Sequence, residues 1–149
     1  MPVCQGCRVR ARHAPVDRVF DAYCRGAPDL GGCLAKAVVL CTEYELRGDC
    51  FHQPSHSSYI LAVLPASHRI NLQELRKQLG FDVVLANEHE VEDLFEDCSP
   101  GAIPPIGECY GLDVVVDESV AGQPEVYLEA GDHETLIYLR RDQFARLML

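Results

Sequence analysis

The sequence predicts an α/β fold of mixed-sheet character, on three observations. Stretches with strand composition and alternation outnumber those with helical periodicity, the helical stretches are short, and no repeat period runs along the chain. At 149 residues one domain is expected, long enough to bury most of the surface its unfolded form exposes.

The elements follow in order. Val16 to Cys24 is expected as a short helix. Leu34 to Cys41 is the first strand, with Leu34, Lys36, Val38 and Leu40 on one face and Ala35, Ala37, Val39 and Cys41 on the other. Both faces are apolar, which marks an interior strand. A polar excursion from Thr42 to Ser58 leads to "YILAVLP", a second strand ended by Pro65, and the two are expected to pair antiparallel. "INLQELRKQLG" carries a helix signature: Asn71 as N-cap, Glu74 at the capping-box position, Leu72, Leu75 and Leu79 as the apolar stripe, and Gly80 to close the end.

"FDVVLA" reads as strand and "NEHEVEDLFEDC" as a short acidic helix with Val91, Leu94 and Phe95 inward. "SPGAIPPIGECYG" holds too many prolines and glycines for a regular element. "LDVVVD", "PEVYLEAG" and "ETLIYL" are three more strands. "RRDQFARLML" is a terminal amphipathic helix burying Phe144, Leu147 and Met148.

Charge narrows the function. The formal net charge is -10, which argues against a general nucleic-acid coating protein because phosphate contacts need cations. No Lys or Arg occurs from Gln78 through Leu139, while fifteen acidic residues fall there. The first 25 residues instead carry Arg8, Arg10, Arg12, Arg18 and Arg25 against Asp17 and Asp21. A bound polyanion would therefore be held locally. No leader and no run of about 18 apolar residues is seen, so a cytoplasmic protein with reduced thiols and no membrane contact is expected.

Eight cysteines raise the question of metal. Cys4 and Cys7 form one C-x-x-C without a matching pair; His13, Cys24 and Cys33 could complete a site, and Cys50, His52 and His56 lie together in the polar excursion. Neither set has the spacing of an established metal motif, so no metal and no cofactor is expected. The dinucleotide fingerprint G-x-G-x-x-G, the phosphate loop G-x-x-x-x-G-K-[ST] and the nucleophile elbow G-x-S-x-G are all absent.

Two features carry chemistry. Lys36 stands in "GGCLAKAVVLC", where a charge among small and apolar residues needs a partner or a purpose; a lysine lining a cleft and facing an anionic or ester group is expected. The loop from Gly101 to Gly107 is stiffened by Pro104 and Pro105, and can aim backbone N–H groups at an acyl carbonyl or the oxyanion formed from it.

In order and spacing, "CLAKAVVL", "YILAVLPAS", "INLQELRKQLG", "LANEHEVEDLF", "CSPGAIPPIGECYGLDVVVD" and "EVYLEAGDHETLIYL" resemble the bacterial YbaK/ProX family of aminoacyl-tRNA deacylase-like domains. The resemblance divides the chain into a basic segment, residues 1–29, and a domain, residues 30–149. It implies a compact α+β domain with a curved mixed sheet and short flanking helices. It further implies hydrolysis of the ester of mischarged aminoacyl-tRNA, a small residue such as alanine on tRNA-Pro, by water assisted by the substrate's own hydroxyl.

On this resemblance the family lysine is Lys36, and the G-x-x-x-P loop is Gly101 to Pro105 with Gly107 just beyond. These residues are expected to be catalytic. Ile103, His133, Tyr138, Arg8, Arg10 and Arg12 are expected to contact substrate. The partners implied are the acceptor end of aminoacyl-tRNA and an aminoacyl-tRNA synthetase, with no DNA. Ala37 after the lysine and Tyr138 near a family histidine position favour an alternative, a non-catalytic module of the same fold that binds tRNA ends, nucleotides or a protein.

Overall fold

The computed structural model describes residues 18–21, 33–42 and 59–148. Cys4, Cys7, His13, Cys24, Cys50, His52, His56, Arg8, Arg10 and Arg12 lie outside them. Among the described residues, seven strands form one open mixed sheet: β1 (Arg18–Asp21), β2 (Leu34–Thr42), β3 (Tyr59–Pro65), β4 (Val83–Leu85), β5 (Asp113–Val116), β6 (Glu125–Glu129) and β7 (Thr135–Arg140). The order is β1-β7-β6-β2-β3-β5, with β4 also on β2. Four α-helices among the described residues flank it: α1 (Leu72–Leu79), α2 (Glu88–Leu94), α3 (Glu118–Ala121) and α4 (Arg141–Met148).

Two expectations are corrected. Gly107–Tyr110, within the Pro- and Gly-rich stretch expected to hold no regular element, forms a short 3-10 helix followed by Gly111 at φ 67°. Arg18–Asp21, inside the stretch expected as helix, is a strand antiparallel to β7, with Arg18 opposite Tyr138 and Asp21 opposite Thr135. An available strand edge supplies ladder bonds that outweigh a weak local helical preference.

β2 and β3 pair antiparallel from Ala35–Pro65 to Cys41–Tyr59, as the sequence predicts. The other edge of β2 has two partners in turn. Leu34 and Ala35 pair with Tyr127 and Leu128 of β6, in parallel; Leu40 to Thr42 pair with β4. Between them, Val39 accepts a hydrogen bond from Ala86 N.

Strand alternation separates the core into two. Ala35, Val39 and Cys41 of β2 join Val126, Leu128, Leu139, Phe144 and Phe95 in the larger cluster, against which Ala37, Ile103 and Ile106 pack. Leu40 points the other way, with Ile60, Ala62, Leu79 and Val83, and with Val38, Leu72 and Leu75 packed alongside. α1 covers that second face. Its start is capped by Asn71, whose side chain accepts from Glu74 N, and Gly80 closes it at φ 76°. Around α2 the capping box is complete between Asn87 and Glu90, and the phenol of buried Tyr59 donates to Glu90 Oε1 at 3.2 Å. Buried Gln143 caps α4 by accepting from Arg140 N at 2.9 Å.

Candidate active site

The Pro-rich loop divides into an anchor and an exposed bend. Pro104, Pro105 and Gly107 are buried, whereas Gly101 is exposed and Ile103 half-buried. Gly107 sits where a β-carbon would collide with Val114 Cγ2 and come within 2.7 Å of Leu112 O, so close packing demands glycine there. Gly101 adopts φ 83°, left-handed backbone. Ala102 N donates to Ser99 O at 2.9 Å and closes the bend. The N–H groups of Gly101 and Ile103 are used by no hydrogen bond among the described residues.

The turn between β6 and β7 grips this bend. Ser99 N donates to Gly131 O at 2.7 Å. The ring of His133 donates from Nε2 to Pro100 O at 2.8 Å, and a β-carbon on Gly101 would lie 3.7 Å from His133 Cε1. His133 itself has φ 62°, and its N–H donates to Glu129 Oε1 at 3.1 Å. Asp132 braces the turn: its carboxylate accepts from Glu134 N at 2.9 Å, Thr135 N at 2.7 Å and Thr135 Oγ1 at 2.6 Å. These bonds, led by the threonine hydroxyl, hold the Asp132 carboxyl below its usual range.

Three polar groups that flank the loop in sequence, Asp97, Cys98 and Tyr110, meet in the fold. Tyr110 donates to Asp97 at 3.0 Å from Oδ1, and Cys98 Sγ lies 3.3 Å from the same phenol oxygen. Burial, followed by these neighbours, pushes the phenol well above its ordinary value. Burial also pushes the Cys98 thiol up. Ala86, Val91, Phe95, Cys98, Pro100 and Ile103 help to line a cavity of about 400 Å³ beside the bend, with Glu88 and Glu92 also on its wall. No local motif announces this cavity, because its walls come from α2 and from a loop that only the tertiary fold brings against it.

Lys36 is half-buried and donates from Nζ to Ala66 O at 3.2 Å. Alternation puts it on the opposite face of β2 from Ala37, which packs against the larger core cluster, as do Ile103 and Ile106. The same face carries Tyr127 and Tyr138, directly opposite each other across β6 and β7, with ring centroids 5.4 Å apart. Tyr138 donates to Glu125 Oε1 at 2.8 Å. The parallel β2–β6 register ends at the Ala35–Leu128 pair, one residue before Lys36 on β2 and before Glu129 on β6. Glu129 supports the β6–β7 turn by accepting from His133 N. Tyr127 was legible in the alternation of "PEVYLEAG"; Glu129 was legible as a face residue but not as the support of His133.

Among the described residues no group of three or more His, Cys, Asp or Glu could hold a metal ion, and no helix is long and apolar enough to cross a membrane.

No curated protein matches. A solved structure described as a proposed trans-editing enzyme for prolyl tRNA synthetase superposes with TM-score 0.67 at 19% identity, covering 88% of this chain and 80% of that one. A proposed signal transduction protein from Marinobacter aquaeolei VT8 gives TM-score 0.66 at 20% identity, covering 90% of this chain and 26% of that one. At such identities the likeness carries the fold, which is the mixed α+β fold expected from the sequence. A model of the aminoacyl-tRNA editing domain matches residues 18–147, and the chain therefore belongs to the aminoacyl-tRNA editing domain family.

Proposed function

We propose that the protein hydrolyses, in trans, the ester between a wrongly attached small amino acid and the terminal adenosine of a tRNA. The observation that carries this reading is the exposed bend at Gly101, whose own N–H and that of Ile103 are free to donate, within a chain of the editing family. Water adds to the ester carbonyl carbon, and the neighbouring ribose hydroxyl of the substrate assists the loss of its proton. The carbonyl oxygen becomes an oxyanion that the loop N–H groups stabilise; collapse breaks the bond to the ribose oxygen, which leaves protonated. Because an aminoacyl ester is already labile, positioning and oxyanion donors suffice without a side-chain nucleophile.

Lys36 is assigned to the phosphate or ribose end of the substrate, with Arg8, Arg10 and Arg12 assisting from the N-terminal segment. The buried Pro105 and Gly107 hold the loop in shape. The acidic body leaves selectivity to the amino acid, the last base pairs, or handover from a synthetase. Purified protein incubated with a panel of labelled aminoacyl-tRNAs tests the proposal: release above the spontaneous rate for at least one mischarged species is expected, and none for any species refutes it. Tyr138, tied to Glu125 and Tyr127, favours the second reading of a binding module. Saturable tRNA binding without turnover would establish that one.

A further inference from the structure

We propose that His133 is a positioning residue that locks the Pro100–Gly101 peptide and so aims the Gly101 N–H. The consequence for hydrolysis rests on the editing reading above; the structural consequence rests on geometry alone.

A carbonyl oxygen can only accept, so the 2.8 Å contact with Pro100 O requires a proton on His133 Nε2. Both the neutral ring in that tautomer and the imidazolium satisfy this, and neither leaves Nε2 free to take a proton. The Pro100 carbonyl and the Gly101 N–H belong to one planar trans peptide, and they point in opposite directions. Holding the oxygen on one side thus fixes the direction of the donor on the other. A hydrogen bond on the carbonyl also polarises the peptide and strengthens that donor.

The lock is placed where the chain is softest. Gly101, at φ 83°, has no side chain to restrict rotation of this peptide; the ring supplies the restriction from outside. His133 is in turn held in left-handed backbone, unusual for a residue other than glycine, by its N–H bond to Glu129. Ring, bend and turn are therefore one built unit.

Two substitutions separate the contributions. His133→Asn keeps a residue that tolerates left-handed backbone but is too short to reach Pro100 O; His133→Gln carries an amide donor at about the reach of Nε2. In H133N, amide exchange at Ser99 and Ala102 should rise roughly three- to tenfold, the effect of one lost hydrogen bond, with α1 unchanged. Hydrolysis should fall on the order of tenfold in kcat with KM little altered, because the donor acts on the transition state. H133Q should recover most of both, with a pH–rate profile of unaltered shape.

Unchanged loop exchange in H133N overturns the proposal whatever the activity. Raised exchange in a protein whose parent hydrolyses no aminoacyl-tRNA supports the lock and refutes the editing reading. Loss of rate in H133Q with the loop still protected, together with a changed shape of the pH–rate profile, would make His133 an acid–base catalyst and overturn the positioning role.

Discussion

Cys98 Sγ lies 3.1 Å from the point where a β-carbon on Gly131 would sit, and Gly131 holds φ 109°. Two independent penalties therefore meet in Gly131→Ala: strained backbone, on the order of 1–3 kcal/mol, and a sulfur that must move. A fall in melting temperature of on the order of 2–4 °C per kcal/mol is expected for a chain of this size. Cys98→Ala in the same chain should recover the steric part and leave the backbone part. Additive effects in a double-mutant cycle would show that the contact carries no energy.

Gly107 and Gly80 provide a matched contrast. Gly80 has positive φ but open space around its missing β-carbon, whereas Gly107 has ordinary φ and no space. Gly80→Ala should cost about 1 kcal/mol. Gly107→Ala should cost more, up to about 3 kcal/mol, and Val114→Ala should relieve it only in part, since Leu112 O is backbone. Urea unfolding of the three variants checks the order.

Asp132 predicts how the turn responds to acid. Its folded carboxyl is held below the ordinary value of 3.8, first by the Thr135 hydroxyl. A depressed folded value means that the stabilisation is fully present above the unfolded value and is lost as pH falls through the folded one. Asp132→Ala should therefore be less stable than the parent at neutral pH, and the gap should close below about pH 3.8. A gap in denaturant midpoint independent of pH would contradict the assignment.

Among the described residues the Lys36 side chain makes one hydrogen bond, to the carbonyl of Ala66. Lys36→Ala should change stability by only about 1 kcal/mol while strongly reducing hydrolysis of tRNA esters. Lys36→Arg should rescue poorly, because a planar guanidinium does not replace a compact ammonium. Retained rate per folded molecule with collapsed stability would make Lys36 structural.

Few phosphates can be neutralised by a body without Lys or Arg from Gln78 through Leu139. The slope of log affinity for tRNA against log salt should correspond to roughly one to three contacts at about 0.7 to 0.9 each. Titration across a salt series, with and without the N-terminal arginines, reads it. A steep slope that survives truncation would reveal a basic face on the folded body.

The sequence by itself determined the elements whose causes are local. The caps of α1 at Asn71 and Gly80, the alternation of β2 between two cores, and the burial of Phe144, Leu147 and Met148 on α4 all follow from period and capping chemistry within a few residues. The charge of Lys36 in an apolar strand and the stiff glycine-bracketed bend at Gly101 are likewise visible in one dimension. Only the tertiary structure decided what those groups touch. β1 is a strand because β7 offers it an edge; β2 divides one edge between β6 and β4; Lys36 finds Ala66; and His133 reaches Pro100 across 33 residues of chain. Periodicity specifies the face a side chain takes, but its partner is set by hydrogen bonds between segments far apart in sequence, whose free energy exceeds any local preference.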